Sequence, residues 1–174
     1  MNYPYQIVAF LDVNPEPAIG TPIYNGPQGW IPNVALKRRF GLHDISESDL
    51  IELLKGFFDT KARFFGISFT RVAQPEDMPV NVLEIERVRS LMIFHRDLIA
   101  YLGNKIESRY PERDGENYYP HMTLTWQGKQ VVDPSKFLPT VGQIGTKLQL
   151  RVCLVKDPID SENAEVFHYF DIKN

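Results

Sequence analysis

The residues best suited to chemistry are a histidine and a threonine that stand two positions apart. His121 and Thr123 lie in segment 119–124, which reads YPHMTL. An imidazole titrates near neutral pH and can take up or release a proton. A threonine hydroxyl can donate a hydrogen bond to a phosphate oxygen. The pair therefore predicts a site that holds a phosphate group and moves a proton beside it.

A second segment has the same pattern without the reactive side chains. Segment 31–36 reads IPNVAL, with Asn33 in the place of the histidine and Ala35 in the place of the threonine. An asparagine can hydrogen-bond a phosphate or a nucleobase but cannot transfer a proton, and the loss of one general acid or base typically costs ~10²–10⁴-fold in rate. The two segments are about half the chain apart, and each is followed by a helical pattern and then a strand. This order indicates an internal duplication with halves of about 1–75 and 76–174.

Strand alternation predicts which side chains share the site. In a strand, successive side chains point to opposite faces. The two polar faces expected from this rule contain His121, Thr123 and Thr125 in one strand and Asn33, Ala35, Lys37 and Arg39 in the other. The opposite faces, expected to be the core faces, contain Met122, Leu124 and Trp126 in one strand and Val34, Leu36, Arg38 and Phe40 in the other. If the duplicated halves pack about a pseudo-twofold axis, the polar faces meet across a cleft and Lys37 adds a positive charge.

Hydrophobic periodicity predicts a single α+β domain over residues 1–174. The strands are expected at 5–12, 33–40, 64–71, 80–87, 120–126, 147–155 and 165–172. Helices are expected from the cap at Ser46, with Asp49 three residues later, over 88–110, and as a short piece at 134–138. Segment 13–31 is rich in Pro and Gly and predicts a long loop, 75–79 a turn and 111–117 a polar loop.

Composition excludes several classes of function. The formal net charge of −3 gives no overall attraction to nucleic acid or anionic membrane, so an anionic substrate must be held by local basic groups. Cys153 is the only cysteine, and its place in an alternating apolar stretch predicts a buried thiol. The histidines and carboxylates show no metal-ligand spacing, and there is no Gly-rich phosphate loop. We expect a cytoplasmic monomer without a signal peptide, a membrane partner, a metal or an organic cofactor.

The chain resembles the 2H phosphoesterases, which include 2′-5′ RNA ligase and cyclic phosphodiesterase enzymes. The resemblance covers most of the chain and rests on segment 119–124, the strand–helix unit 82–102 before it, and Leu36-Lys37 leading into the helix at Ser46. It implies a bilobal duplicated fold with antiparallel sheets around a central cleft and helices on the outside. It also implies that His121 and Thr123 line a phosphate site. Two features depart from the family: the degenerate first motif, and segment 13–31, where the family has a helix.

Three functions remain open at this point. The first is phosphodiester chemistry on a small nucleotide or an RNA end with a 2′,3′-cyclic or 2′-5′ linkage. In it His121 is the acid or base, Thr123 holds the phosphate, and Asn33, Lys37 and Thr125 help to bind. The second is a non-catalytic module that binds nucleotides or RNA ends in the same cleft, and the third is a protein that keeps the fold alone.

The remaining histidines and aromatic residues carry weaker expectations. His43 is the nearest substitute proton carrier but is expected outside the cleft. His95 is expected in the core or at its rim, and His168 is expected to be structural. The aromatic residues near the motif either stack on a base or belong to the core; they are Tyr118, Tyr119 and Trp126.

Overall fold

A mostly antiparallel sheet carries two α-helices on one of its faces. The computed structural model of this 174-residue chain describes residues 3–24, 29–61, 67–76, 79–143, 150–157 and 164–171. The first five strands are β1 (Tyr5–Leu11), β2 (Asn33–Leu42), β3 (Phe69–Ala73), β4 (Val82–Ile85) and β5 (Ile106–Ser108). The others are β6 (His121–Thr123), β7 (Thr125–Trp126), β8 (Lys129–Gln130), β9 (Leu150–Lys156) and β10 (Glu165–Phe170). The helices are α1 (Glu47–Lys61) and α2 (Arg89–Leu102). The predicted α+β class is thus confirmed.

The strands of the main sheet run in the order β10-β9-β1-β2-β6-β4-β3, and β5 pairs with β2. β7 and β8 form a separate two-stranded hairpin. The two motif strands, β2 and β6, are neighbours and pair antiparallel through Val34 and Met122. The middle of the sheet is therefore the place where both copies of the sequence pattern meet.

The helices begin and end where local chemistry requires. Before α1, the Ser46 backbone N–H donates to Asp49 Oδ2 at 2.9 Å and the Asp49 backbone N–H donates to Ser46 Oγ at 3.2 Å, so the predicted cap is present. The predicted helix over 88–110 is too long, since α2 ends at Leu102. Gly103 follows with a φ of 48°, which breaks the helix and lets β5 pair with β2.

Both faces of the sheet carry apolar clusters. The larger cluster lies under the helices and includes Leu54, Phe58, Phe94 and Leu98 from α1 and α2, all buried. The smaller cluster lies on the opposite face of β1, β9 and β10, where the loop residues Ile23 and Ile31 pack against Val8, Phe10 and Cys153. The described part of the predicted loop 13–31 thus acts as a cover for the second face. Burial raises the pKa of the Cys153 thiol to about 12, in keeping with the predicted buried thiol.

Several predicted strands differ from the observed ones. The strand predicted at 64–71 appears as β3, shifted toward the C-terminus, and residues 64–66 lie outside the described part. The strand predicted at 120–126 is broken at Leu124, whose N–H donates to the Asn81 carbonyl. Two 3₁₀ turns, Pro134–Lys136 and Leu138–Thr140, replace the short helix predicted at 134–138. Residues 77–78 of the predicted turn, 147–149 of the strand predicted at 147–155 and 172 of the strand predicted at 165–172 also lie outside the described part. No helix of the described ranges is long and apolar enough to cross a membrane.

Candidate phosphate-binding cavity

A cavity of about 420 Å³ lies on the face of the sheet opposite the helices. Val34 and Met122, the pair that joins β2 to β6, are buried on the helix side. Strand alternation therefore turns their sequence neighbours to the other face. Of these neighbours, Asn33, Ala35, His121 and Thr123 all line the cavity. The structure thus brings together three of the five predicted site residues: His121, Thr123 and Asn33.

Lys37 lies on the wrong face for its predicted role. The register between β1 and β2 shifts between Val8 and Ile7, so that one extra residue of β2 is accommodated there. This bulge places Leu36 and Lys37 both on the helix side. The Lys37 ammonium is 1% exposed and donates to Ser108 Oγ at 2.6 Å and to Asp114 Oδ2 at 2.9 Å. Burial lowers the pKa of Lys37, and the Asp114 carboxylate acts in the opposite direction.

Arg38 occupies the cavity position that alternation assigned to Lys37. A second register shift lies between Ile7 and Tyr5 and leaves both Arg38 and Arg39 on the cavity side. Arg39 donates to Asp157 Oδ2 at 2.9 Å. Arg109 and Arg113 line the same cavity, so four guanidinium groups face it, and no carboxylate is among its lining residues in the described part. The pKa of Arg38 is lowered first by burial and next by the positive charge of Arg113.

The hydrogen bonds of His121 fix its proton on one nitrogen. Arg38 Nη2 lies 3.2 Å from His121 Nε2. A guanidinium group has no acceptor, so Nε2 must accept this bond and carries no hydrogen. His121 Nδ1 lies 2.8 Å from the Tyr119 carbonyl oxygen, to which it must donate. This assignment gives a neutral imidazole whose Nε2 lone pair accepts from Arg38, so Nε2 can take up a proton only when that guanidinium bonds another acceptor, such as a phosphate oxygen.

Thr125 does not reach the cavity as predicted. Because the strand breaks at Leu124, Thr125 lies in the separate hairpin strand β7 and its hydroxyl accepts from the Asn81 N–H at 2.8 Å. Thr125 is not among the lining residues. Asn33 is 9% exposed, and its amide nitrogen donates to the Ile31 carbonyl at 2.8 Å. That bond holds the side chain in place at the start of β2.

Three aromatic side chains form one wall of the cavity. The ring centroids of Tyr24 and Trp30 are 4.4 Å apart, and those of Trp30 and Trp126 are 5.8 Å apart. Trp126 was predicted to face the core, which is wrong: it is 38% exposed and lines the cavity, because the break at Leu124 resets the alternation. The composition of loop 13–31 gave no reason to select Tyr24 or Trp30. Arg109 and Arg113 were also missed: Arg109 follows β5 directly and Arg113 ends a 3₁₀ turn, whereas these positions were predicted as helix and loop.

The other predicted aromatic residues and histidines lie elsewhere. Tyr118 is buried, and its ring stacks on His95 with centroids 3.9 Å apart. His95 Nδ1 donates to the Leu36 carbonyl, and its Nε2 accepts from the Gly115 N–H, so its role is structural. The Tyr119 hydroxyl donates to Glu84 Oε1 at 2.6 Å. His43 is mostly exposed beside Asp44 and does not line the cavity.

The arrangement combines a neutral imidazole, a threonine hydroxyl, an arginine-rich wall and an aromatic wall. In the described ranges, no group of three or more His, Cys, Asp or Glu residues could hold a metal ion. No protein-family model matches the chain, and comparison with curated proteins finds no match either. The class of protein must therefore be argued from the fold and the cavity.

Proposed function

We propose that this chain is a 2H phosphoesterase-like protein that acts on 2′,3′-cyclic or 2′-5′ phosphodiesters of small nucleotides or RNA ends. The observation that carries the proposal is the meeting of both motif copies in one arginine-lined cavity, with His121 and Thr123 on the same wall. A cytoplasmic, monomeric state is part of the proposal and rests on composition alone.

The order of the strands supports a duplicated, bilobal arrangement. The first half of the chain supplies β1, β2 and β3, and the second half supplies β4, β6 and β9. In chain order, β4 corresponds to β1, β6 to β2 and β9 to β3, so that the motif strand is the second of each three. Around the β2–β6 contact, the order β9-β1-β2-β6-β4-β3 reads symmetrically, since β3 of the first half lies beside β4 of the second and β9 of the second half lies beside β1 of the first; β10 extends the sheet beyond β9. A pseudo-twofold axis between β2 and β6 accounts for this symmetry and for the shared cavity.

The chemistry assigned to the cavity follows from the groups that line it. His121 Nε2 takes a proton from water as the water oxygen attacks phosphorus, and the Thr123 hydroxyl holds a non-bridging oxygen. The guanidinium groups balance the charge that grows on the phosphate oxygens. A base can stack on the aromatic wall, a contact worth about 1–3 kcal/mol per base. The leaving ribose oxygen receives little help, because Asn33 stands where the second histidine would be.

A non-catalytic module that binds nucleotides or RNA ends in the same cavity is the second proposal. The observation that favours it is the first motif, in which Asn33 and Ala35 both line the cavity and neither can move a proton. Binding through the arginine and aromatic walls does not require a second acid or base.

Incubation with 2′,3′-cyclic nucleotides separates the two proposals. For the enzyme we expect turnover, measured by chromatography of the nucleoside monophosphates, that falls ~10²–10⁴-fold in the His121→Ala variant. The matched control is His43→Ala, which removes an exposed imidazole outside the cavity and should retain wild-type turnover. Saturable binding without turnover supports the module. If the protein shows no binding and no turnover, both proposals are refuted and the chain retains only the fold.

A further inference from the structure

Hydrolysis of a cyclic phosphodiester needs a proton donor that the two motif copies do not supply. The ribose oxygen departs as an alkoxide, a base comparable to hydroxide, whose conjugate acid, water, has a pKa of about 15.7. His121 is occupied as the base, and Asn33 cannot transfer a proton. Two lining residues of the described part are tyrosines, Tyr24 and Tyr110. A phenol keeps its proton at neutral pH and can pass it to an alkoxide, so these two residues are the candidates.

Tyr24 and His121 lie toward opposite edges of β2. His121 belongs to β6, which pairs with one edge of β2, whereas β1 pairs with the other edge. The Tyr24 hydroxyl is hydrogen-bonded to the side chain of Gln6, a residue of β1. Between them, Arg38 of β2 has Nη2 at 3.2 Å from His121 Nε2, and its charge also acts on Tyr24. A phosphate bound to Arg38 thus lies between the imidazole and the phenol, and an in-line displacement has its attacking and leaving oxygens on opposite sides of phosphorus.

Tyr110 lies on the same side of β2 as His121. It comes two residues after β5, which pairs with the same edge of β2 as β6 does. The Arg109 N–H donates to the Arg39 carbonyl at 2.9 Å, so the chain still follows that edge where it reaches Tyr110. A donor on the side of the base does not face an oxygen that leaves on the opposite side. Tyr24 is therefore the better placed of the two phenols.

The aromatic wall also directs the leaving oxygen toward Tyr24. The Tyr24 ring packs against Trp30 with centroids 4.4 Å apart, and Trp30 in turn packs against Trp126. A nucleobase stacked on this wall brings its own ribose to the same side of the cavity. The oxygen that leaves phosphorus belongs to that ribose, so the departing group and the Tyr24 hydroxyl meet on one side.

The surroundings of Tyr24 stabilise the phenolate that forms when the proton is given up. Burial raises the pKa of Tyr24 to about 12. The charges of Arg39 and Arg38 act in the opposite direction, as does the hydrogen bond from Gln6, while Asp157 adds to the effect of burial. The proton still passes downhill to an alkoxide. A phenol is nevertheless a weaker acid than an imidazolium ion, so its help is smaller than that of the histidine missing from the first motif.

We propose that Tyr24 is the general acid that protonates the departing ribose oxygen while His121 acts as the base. This inference rests on the proposed function and adds a catalytic residue to it. A phosphate oxygen first accepts from the Arg38 guanidinium, which frees Nε2. A water oxygen then bonds to phosphorus as its proton passes to Nε2, and the P–O bond to the ribose breaks. The ribose oxygen keeps the bonding electron pair and takes the Tyr24 proton; afterwards the phenolate regains a proton from solvent and Nε2 releases one.

Two substrates with different leaving groups test this assignment. The ribose oxygen of 2′,3′-cyclic AMP leaves as an alkoxide, whereas the 4-nitrophenyl ester of thymidine 5′-phosphate releases a nitrophenolate that is stable without an acid. Tyr24→Phe keeps the ring and should lower kcat on cyclic AMP by ~10²-fold with little change in KM, while kcat on the ester falls by less than ~3-fold. His121→Ala should lower turnover of both substrates. Tyr101→Phe, a matched loss of a hydroxyl from an exposed tyrosine of α2, should behave as the wild type on both.

The outcomes distinguish this inference from the proposed function. Equal losses on both substrates, a loss carried by KM, or no loss in Tyr24→Phe overturn the inference, as does a leaving-group-dependent loss in Tyr110→Phe instead. In each of these cases, wild-type turnover of cyclic AMP leaves the proposed function standing. If the wild type does not hydrolyse the ester, the split between kcat and KM on cyclic AMP decides. If the wild type hydrolyses neither substrate, both proposals fail together; circular dichroism verifies that every variant is folded.

Discussion

The buried ammonium of Lys37 holds the segment that carries part of the arginine wall. Lys37 is 1% exposed and Asp114, its partner at 2.9 Å, is 16% exposed. Asp114 lies between the 3₁₀ turns Pro111–Arg113 and Gly115–Asn117, so the ion pair anchors Arg113 to β2. Replacement of Lys37 with Met keeps most of the side-chain volume but leaves the Asp114 carboxylate without this cation.

The magnitude of the loss follows from the exposure of Asp114. Removing one partner of a buried ion pair costs about 3–5 kcal/mol, because an uncompensated charge stays buried. Water retains some access to Asp114, so we expect a loss at or below the lower limit of this range, about 2–3 kcal/mol in the free energy of unfolding. For a chain of this length, 1 kcal/mol corresponds to about 2–4 °C in Tm, so Lys37→Met should lower Tm by about 4–12 °C.

Urea unfolding followed by circular dichroism measures this loss. Lys129→Met removes an exposed lysine from β8 and should change the free energy of unfolding by no more than about 0.5 kcal/mol. The double variant Lys37→Met with Asp114→Leu removes both charges and should recover part of the stability, with a coupling energy of about 1–3 kcal/mol. If the two single substitutions add without coupling, or if Lys37→Met is as stable as the wild type, the buried pair is not the anchor described here.

Three further predictions concern the cavity and the core. Asn33→His combined with Ala35→Thr rebuilds the first motif and should raise turnover of 2′,3′-cyclic nucleotides by about 10²-fold, measured by chromatography; unchanged turnover would contradict the assigned need for an acid. Trp126→Ala should weaken AMP binding by about 1–3 kcal/mol in calorimetry without affecting inorganic phosphate, whereas an equal loss for both ligands would exclude stacking. Burial lowers the pKa of His95 in the folded state, so below pH 6.5 the unfolded chain binds a proton that the folded chain does not, and the free energy of unfolding measured in urea should fall as the pH drops. His95→Phe should show a shallower decline with pH, and an identical decline would show that His95 does not cause it.

The sequence pattern predicted the structure correctly where local spacing alone determines the conformation of the chain. The cap at Ser46, the paired motifs at residues 33 and 121, and the alternation across Met122 all follow from spacing, and the structure contains each of them. The α+β class follows from the same patterns.

The predictions from sequence spacing were wrong where pairing with a distant segment changes the alternation of side chains along a strand. Lys37 and Arg38 exchange faces because β2 accommodates an extra residue against β1 at each of two places, and a bulge depends on the partner strand. Trp126 turns to the cavity because Leu124 bonds to Asn81 instead of continuing β6.

The sequence by itself determined that one imidazole and one asparagine stand at the same place in two segments of matching pattern, and that each shares a strand face with the residue two positions on, since alternation is a property of each strand alone. Only the tertiary structure decided which charges surround them. The guanidiniums of Arg109 and Arg113 come from the region between α2 and β6 and reach the cavity because β5 pairs with β2 and the Lys37–Asp114 ion pair holds the following turn. Contacts between distant segments are set by packing and charge pairing across the whole fold, and no local pattern specifies them.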